Sequence, residues 1–445
     1  MNSSTPGLKT RREFLRTTVL GGALSWTVPA FLARTFAEFE VRAANDTQVA
    51  TGKDSPILVV LQMAGGNDGL NTVVPYANDH YRRARARIGL RPDAVLKLND
   101  DLGLHPSLRG FHELFESGSL AIIQGVGYPN PNRSHFRSTD IWQTASDANK
   151  FEKHGWVGRY FDNSCPGEDP TVGVVISRQM PLAFAAKNPK GVCLDNPESF
   201  RFGTGDTGDV LIDPGEESLR ELNRPEMTGE SADTNSGASV GAASGTIRPH
   251  GSVLDYVERT ALDAQVSSDR IREITRKVAN QASYPGGQLA NSLRLVARMI
   301  GGSMPTRIYY VSQGGYDTHT NQVPTQARLL QELGDSVKAF VEDLKAQGNF
   351  DRVMLMTFSE FGRRVAENAN TGTDHGAAAP MFIAGSKVKA GLLGTYPSLA
   401  PDDLLNGDLK YSVDFRSVYA AVLEEWLKTS SGPILGRKFE PLEIV

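Results

Sequence analysis

The feature that most limits what this chain can become is a series of short, unbroken apolar runs, each stopping abruptly in a glycine-rich polar turn. Pro56–Met63 runs into Ala64-Gly65-Gly66-Asn67-Asp68-Gly69, Arg307–Ser312 into Gln313-Gly314-Gly315-Tyr316-Asp317-Thr318-His319, and Arg352–Phe358 into Ser359-Glu360-Phe361-Gly362-Arg363. Runs this short, with no polar alternation, are buried on both faces and read as strands of a parallel sheet covered by helices. Leu120–Val126 is another such run, and helical periodicity at Leu108, Phe111, Leu114 and Phe115 predicts a βαβ unit linking it to the first strand. Further helices are expected over Val253–Val278 and Leu289–Ile300, and through Leu329, Leu330, Leu333, Val337, Phe340, Val341 and Leu344. A strand over Pro380–Gly385 and a last helix over Phe415–Leu427 complete the pattern. Strand and helix alternate throughout, so the fold class is α/β, with a mostly parallel central sheet flanked by helices.

Upstream of the first strand stands Thr10-Arg11-Arg12-Glu13-Phe14-Leu15-Arg16, then a mildly apolar stretch, Thr17–Leu32, broken by Gly21, Gly22 and Pro29, and the small residues Ala43-Ala44. That order predicts a twin-arginine signal peptide over residues 1–44, carriage by the twin-arginine translocase, and a periplasmic or otherwise exported protein. The stretch is too short and interrupted for the roughly 20 apolar residues a membrane-spanning helix needs. Residues 45–445 belong to a chain with 40% hydrophobic and 22% charged residues, enough for a single α/β domain with a sizeable core. Residues 217–251, rich in Gly, Ser and Ala, read as a flexible surface insertion. A net charge of −4 leaves no electrostatic footprint for nucleic acid, and the basic run Arg82–Arg87 reads as a solvated helix face. Cys165 and Cys193 match no metal-binding spacing; they form one disulfide in an oxidising compartment or stand idle.

Twin-arginine export carries cargo that is already folded, which turns attention to metal ligands. Open α/β sheets bind ligands beyond the carboxyl ends of their strands, and Asp68, Asp317 with His319, and Glu360 all fall there. Carboxylate oxygens and imidazole nitrogens on glycine-rich turns can converge on a divalent ion with little backbone in the way. Taken singly, Asp68 reads equally as a turn or helix-cap residue, while Asp374-His375 stands in a Gly-Thr-Asp-His-Gly loop. After the second strand comes Asn130-Pro131-Asn132-Arg133-Ser134-His135-Phe136-Arg137. A serine opening a helix there has free backbone N–H groups beside it, so Ser134 reads as a nucleophile flanked by Arg133 and Arg137, or as a plain cap.

Ala64–Asn71, Arg133–Arg137 with Asp140-Ile141-Trp142, Gly315–His319, Phe358–Arg363, Gly372–Gly376 and Asp414–Tyr419 together resemble the bacterial twin-arginine-exported proteins grouped as the domain of unknown function 1501. The resemblance covers nearly the whole mature chain. It implies a more distant similarity to the alkaline phosphatase and sulfatase superfamily, whose members hold one or two divalent metals and a Ser, Thr or Cys nucleophile. By that similarity Asp68 ends the first strand as a ligand, Pro106–Leu114 is the following helix, and Ser134 is the nucleophile. Asp317, His319 and His375 then bind metal, and Ser359-Glu360-Phe361-Gly362 takes the place of a Ser-Asp-His-Gly motif. Phe361 stands where that motif has histidine, and setting Asp374-His375 on the motif instead leaves no final histidine, which puts one of two metal sites in question. The expectation is an exported, metal-dependent hydrolase of phosphate or sulfate esters, acting on a small-molecule or carbohydrate substrate. Asp317, His319 and His375 would hold one divalent ion (zinc, calcium or manganese), Asp68 and Glu360 would hold a second or orient the first, and Arg137 would neutralise the transferred group. The alternative is a non-catalytic exported binding or cell-surface protein that keeps the fold. A cofactor oxidoreductase fits poorly, because the first turn lacks G-x-G-x-x-G spacing and no helix is expected directly after it.

Overall fold

The structure, a computed structural model, describes residues 55–165, 169–188, 191–195, 267 and 269–445. The expected signal at 1–44, the insertion at 217–251 and the start of the helix expected from Val253 lie outside these residues.

A nine-stranded sheet organises the chain. Its strands are β1 (Ile57–Met63), β2 (Leu120–Gly127), β3 (Gly173–Ile176), β4 (Val192–Leu194), β5 (Ile308–Gln313), β6 (Val353–Phe358), β7 (Ala379–Ala384), β8 (Gly391–Leu393) and β9 (Val413–Asp414). The spatial order is β8-β2-β7-β6-β1-β5-β3-β4, with β9 also pairing to β2. β1 runs parallel to both β5 and β6, whereas β7 is antiparallel to its neighbours β2 and β6. The sheet is therefore mixed but mostly parallel. β1 and β2 are not neighbours as a simple βαβ unit would make them, because β6 and β7 stand between them.

The helices are α1 (Gly69–Thr72), α2 (Asp79–Ala84), α3 (Arg109–Glu116), α4 (His135–Thr144), α5 (Trp156–Ser164), α6 (Gln288–Gly301), α7 (Gln322–Ala346), α8 (Phe415–Ala421) and α9 (Ser431–Leu435). The last expected helix is split, since α8 gives way to a π-helical turn over Val422–Trp426. Strand alternation divides the core. Leu58 and Val60 of β1 face Trp142, Phe161 and Tyr419 from α4, α5 and α8, while Ile57, Val59 and Leu61 face Phe111, Leu293 and Leu333 from α3, α6 and α7. Each fully buried aliphatic or aromatic side chain contributes about 1.5–3 kcal/mol, so two apolar layers rather than local propensity hold the sheet between its helices. Among the described residues Cys165 and Cys193 form no disulfide; the first is buried and the second half-buried. Among the described residues no helix is long and apolar enough to cross a membrane.

The reversed strand brings one more loop to one rim of the sheet. Parallel strands deliver the turns after β1, β2, β5 and β6 to one rim, and antiparallel β7 begins on that same rim, so the loop entering it joins them.

Candidate metal centre

Four segments meet on this rim. α4 opens at His135 after β2; Asp317 and His319 follow β5; Glu360, Phe361 and Arg363 follow β6; and Asp374-His375 lead into β7. The last two are stitched together: Gly376 donates to the Gly362 carbonyl at 2.8 Å, Gly362 to the Ala377 carbonyl at 2.8 Å and Arg364 to the Asp374 carbonyl at 3.0 Å. That pairing seats His375 beside Arg363. The first turn approaches closely because it is glycine. Gly65 has φ +120, and a Cβ there would lie 2.5 Å from the Asp317 backbone nitrogen.

The ligand-type atoms of His135, Asp317 and His375 all lie within 4.8 Å of one another. His375 Nε2 and His319 Nε2 are each 3.2 Å from Asp317 Oδ1, and His135 Nε2 is 3.5 Å from Asp317 Oδ2. The two imidazoles His319 and His375 bring their Nε2 atoms to 2.9 Å. The opposite ring nitrogens are all engaged by acceptors: His135 Nδ1 by Glu360 Oε1 at 2.8 Å, His375 Nδ1 by the Arg133 carbonyl at 2.8 Å, and His319 Nδ1 by Asp374 Oδ1 at 3.2 Å. An acceptor-only partner assigns the proton to Nδ1 of a neutral imidazole, which leaves each Nε2 with its lone pair directed at Asp317.

Facing lone pairs and a carboxylate repel unless a cation lies among them. A tetrahedral ion with bonds of about 2.0–2.1 Å holds its ligand atoms roughly 3.3 Å apart, and the separations of 3.2 and 3.5 Å from the Asp317 carboxylate to His375 and His135 lie near that edge. Orienting carboxylates and carbonyls on the far ring nitrogen are what metal-binding histidines ordinarily have. The group is also open: the Asp317 side chain is 48% exposed and that of His319 40%, which suits a site keeping a position for water or substrate rather than a closed structural one.

Arg363 fixes the carboxylate. Its fully buried guanidinium donates to the carbonyls of Gly65, Gly66, Thr373 and Tyr316, and to Asp317 Oδ1 at 2.7 Å. Burial alone would raise the Asp317 pKa, but the hydrogen bond and charge of Arg363 bring it down to about 2. Burial pushes the His375 imidazole below its ordinary value, with the Arg133 carbonyl and Asp317 acting the other way. The buried Phe361 ring lies against His135 and His375, with centroids 4.9 and 4.6 Å away, so the position expected to be a histidine is an apolar floor under two of them.

The residues expected from the sequence are distributed unevenly. Asp317, His319 and His375 come together, and Glu360 touches the group through His135 and the Gly65 N–H at 2.8 Å. Asp68 does not join them. A short helix opens directly after the first turn, contrary to expectation, and Asp68 caps it by accepting from Leu70 N at 3.2 Å. Its other oxygen accepts from Arg85 Nη1 at 2.5 Å and from Gln322 Nε2. Ser134 occupies the cap position of α4, exposed, with a hydroxyl that caps nothing. Arg137 is turned away from the group: it donates to the carbonyls of Asp147, Ala148 and Lys150 and lies 4.1 Å over the Phe151 ring. His135 and Arg363 are not among the site residues expected from the sequence. A signal for His135 is present there, since it too is a histidine just past a buried strand.

A family description, protein of unknown function (DUF1501), matches residues 55–432. No curated protein matches the chain. Among solved structures it is similar to PsFucS1 sulfatase from Pseudoalteromonas sp. (9% identity, 87% of this chain and 74% of that one, TM-score 0.32). It is also similar to a phosphonate monoester hydrolase from Silicibacter pomeroyi (10% identity, 86% and 77%, TM-score 0.31). A third is the C-terminal periplasmic domain of EcEptC from Escherichia coli in complex with Zn (9% identity, 76% and 75%, TM-score 0.31). Likenesses this distant carry neither substrate nor mechanism across.

Proposed function

The chain belongs to the DUF1501 family, and from the geometry of its own site we propose that it is an exported, metal-dependent hydrolase of phosphate or sulfate esters. The observation that carries this reading is the set of imidazoles around Asp317, each held by its Nδ1 so that its Nε2 points inward. His135, Asp317 and His375 would hold a divalent ion, with His319 adjoining them. A bound ion would polarise the ester and lower the pKa of a coordinated water. The chain's own residues supply the rest. Arg363 keeps Asp317 ionised and in place, Glu360 orients His135, and the Arg133 carbonyl orients His375. Ser134, exposed beside His135 at the start of a ten-residue helix, offers a hydroxyl, and the free N–H groups of that helix offer anion binding. The cation nearest to it in sequence is Arg133, whose guanidinium pairs with the buried carboxylate of Asp408, which Arg364 also approaches.

A second reading, a binding protein that does not turn substrate over, draws on the buried Phe361 and on Asp68 being committed to Arg85, which leave ligands for one ion rather than two. Export follows from the N-terminal residues alone and is part of the proposal. The test is elemental analysis of the purified full chain, followed by assays with aryl phosphates and aryl sulfates before and after chelation. About one equivalent of divalent metal and chelator-sensitive turnover are expected. Metal without turnover supports the second reading, and absence of metal with Asp317→Ala indistinguishable from the parent sinks both.

A further inference from the structure

At the far end of α4 from His135 lies a second polar cavity, of about 170 Å³. It is walled by the residues that follow the helix, Ser146 and Asp147, by Arg159 of α5, by Arg416 of α8, and by Arg437 just after α9. Since a water molecule's share of liquid volume is roughly 30 Å³, the space accommodates a tetrahedral oxyanion together with part of whatever carries it. α4 has ten residues, about 15 Å at 1.5 Å per residue, so this cavity and the Asp317 group are separate places.

The charges in its wall do not balance locally. Arg416 is paired bidentately with Asp414, at 2.8 and 2.6 Å. Asp147 is shared among three cations, Arg416 at 2.6 Å, Arg437 at 3.1 Å and Lys150 at 3.5 Å. Arg159 has no carboxylate partner among the described residues; its guanidinium donates only to the carbonyls of Ile434, His154 and Thr144. Burial pushes its pKa down, with the charge of Glu152 acting the other way. Glu152 also lines the cavity but forms no ion pair with Arg159, so this partly buried cation is balanced only at a distance and can take a further anionic partner. A second anomaly stands in the same wall. Ser146 is 6% exposed, and its hydroxyl has no hydrogen-bond partner, a state that costs free energy unless a ligand or water meets it.

We propose that this cavity is a binding site for a phosphate or sulfate group, held by Arg159 and Arg437 with Ser146 in the wall beside them, and distinct from the metal centre. The Phe439 ring, with Arg416 at 4.7 Å and Arg437 at 4.8 Å from its centroid, keeps those two guanidinium planes fixed. The site does not depend on the hydrolase reading.

The test is calorimetric titration of the chelated full chain with inorganic phosphate, inorganic sulfate and glucose 6-phosphate. Saturable one-site binding in the millimolar range or tighter is expected for at least one of them. A preference for the sugar phosphate identifies a substituted group as the occupant, and a preference for an inorganic ion identifies the free anion. Arg159 also ties down three carbonyls, so the discriminating variants are Arg437→Gln, whose side chain is 56% exposed, and Ser146→Ala. At least one should weaken binding about tenfold, the effect of losing a charge-assisted hydrogen bond, while Asp317→Ala leaves it unchanged. No saturable binding, binding indifferent to both variants, or binding lost with Asp317→Ala would overturn the proposal.

Discussion

Around Asp68 and around Asp317 the chain places similar residues on the same rim of the sheet, yet it resolves their charges in opposite ways. The Asp68 carboxylate meets Leu70 N, Arg85 and Gln322. Arg85 in turn donates to Asn71 and to the carbonyls of Val365 and Arg364, and Gln326 reaches the Asp68 carbonyl at 3.0 Å. Asp68 and Arg85 are each 1% exposed, and that carboxylate offers no room for an ion. Around Asp317 the carboxylate and His319 are partly open to solvent, and the inward imidazole nitrogens have one another and a carboxylate to face. The contrast is between a strand-end acid saturated by an arginine and a glutamine from within the core and one left facing imidazole nitrogens that are acceptors themselves. Arg363 shows the intermediate case: it holds Asp317 by one oxygen only, since its other hydrogen bonds go to carbonyls.

The sharpest way to break the comparison is Asp68→Ala. It leaves the buried Arg85 charge without a counter-ion, so unfolding in denaturant should show a loss of about 3–5 kcal/mol; a loss near zero would mean the closed group is not a buried ion pair in solution. Acid probes the same region. Burial pushes His105 down to about 4, with the Asp68 carboxylate acting the other way. A histidine whose folded pKa is depressed takes up its proton more readily when unfolded, so stability should fall as pH drops from about 6.5 and level off below about 4. The fall attributable to His105 is at most about 3 kcal/mol, and His105→Gln should flatten the profile over that window.

The open group should behave in the reverse sense. Saturating it with zinc or manganese at a hundred times the dissociation constant should raise stability by about 2.7 kcal/mol. His135→Ala should abolish that gain while changing the metal-free protein by no more than about 1 kcal/mol. Thermal melts with and without metal would separate the two effects, and a large loss in the metal-free variant would erase the distinction drawn between the regions. Smallest is Glu360→Gln, which preserves volume and removes the charge of the acceptor shared by His135 and the Gly65 N–H. Metal affinity should drop about 10–100-fold, as expected of groups that orient metal ligands, read by competition with a chelating dye.

Much of the fold was legible in sequence because it rests on burial. β1, β5, β6 and β7 are continuous apolar runs, and α7 carries its stripe over many turns. Strand order was not legible: nothing in Leu120–Val126 says that β6 and β7 will come between it and β1, since adjacency is decided by how distant segments pack. The site followed the same division. Asp317, His319 and His375 stood out as histidines and acids on glycine-rich turns, a local signal. The fate of Asp68 depended on Arg85 and Gln322, remote partners that local pattern does not reveal. Arg137 pointed elsewhere because helical rotation carries it toward the loop at 147–150, away from the face His135 presents.

The reversed strand β7 also sets a schedule. His375 enters the rim only through the loop that leads into β7, and that loop is held by Gly362 and Arg364 beyond β6. A nascent chain that has emerged only through β6 therefore lacks part of the cradle, and an unfolded chain has no cradle at all. On the proposed reading, ion capture would come after the sheet has closed, late in synthesis and in whichever compartment the chain folds. The metal inventory of that compartment, rather than of the one where the finished protein works, would decide which ion it carries.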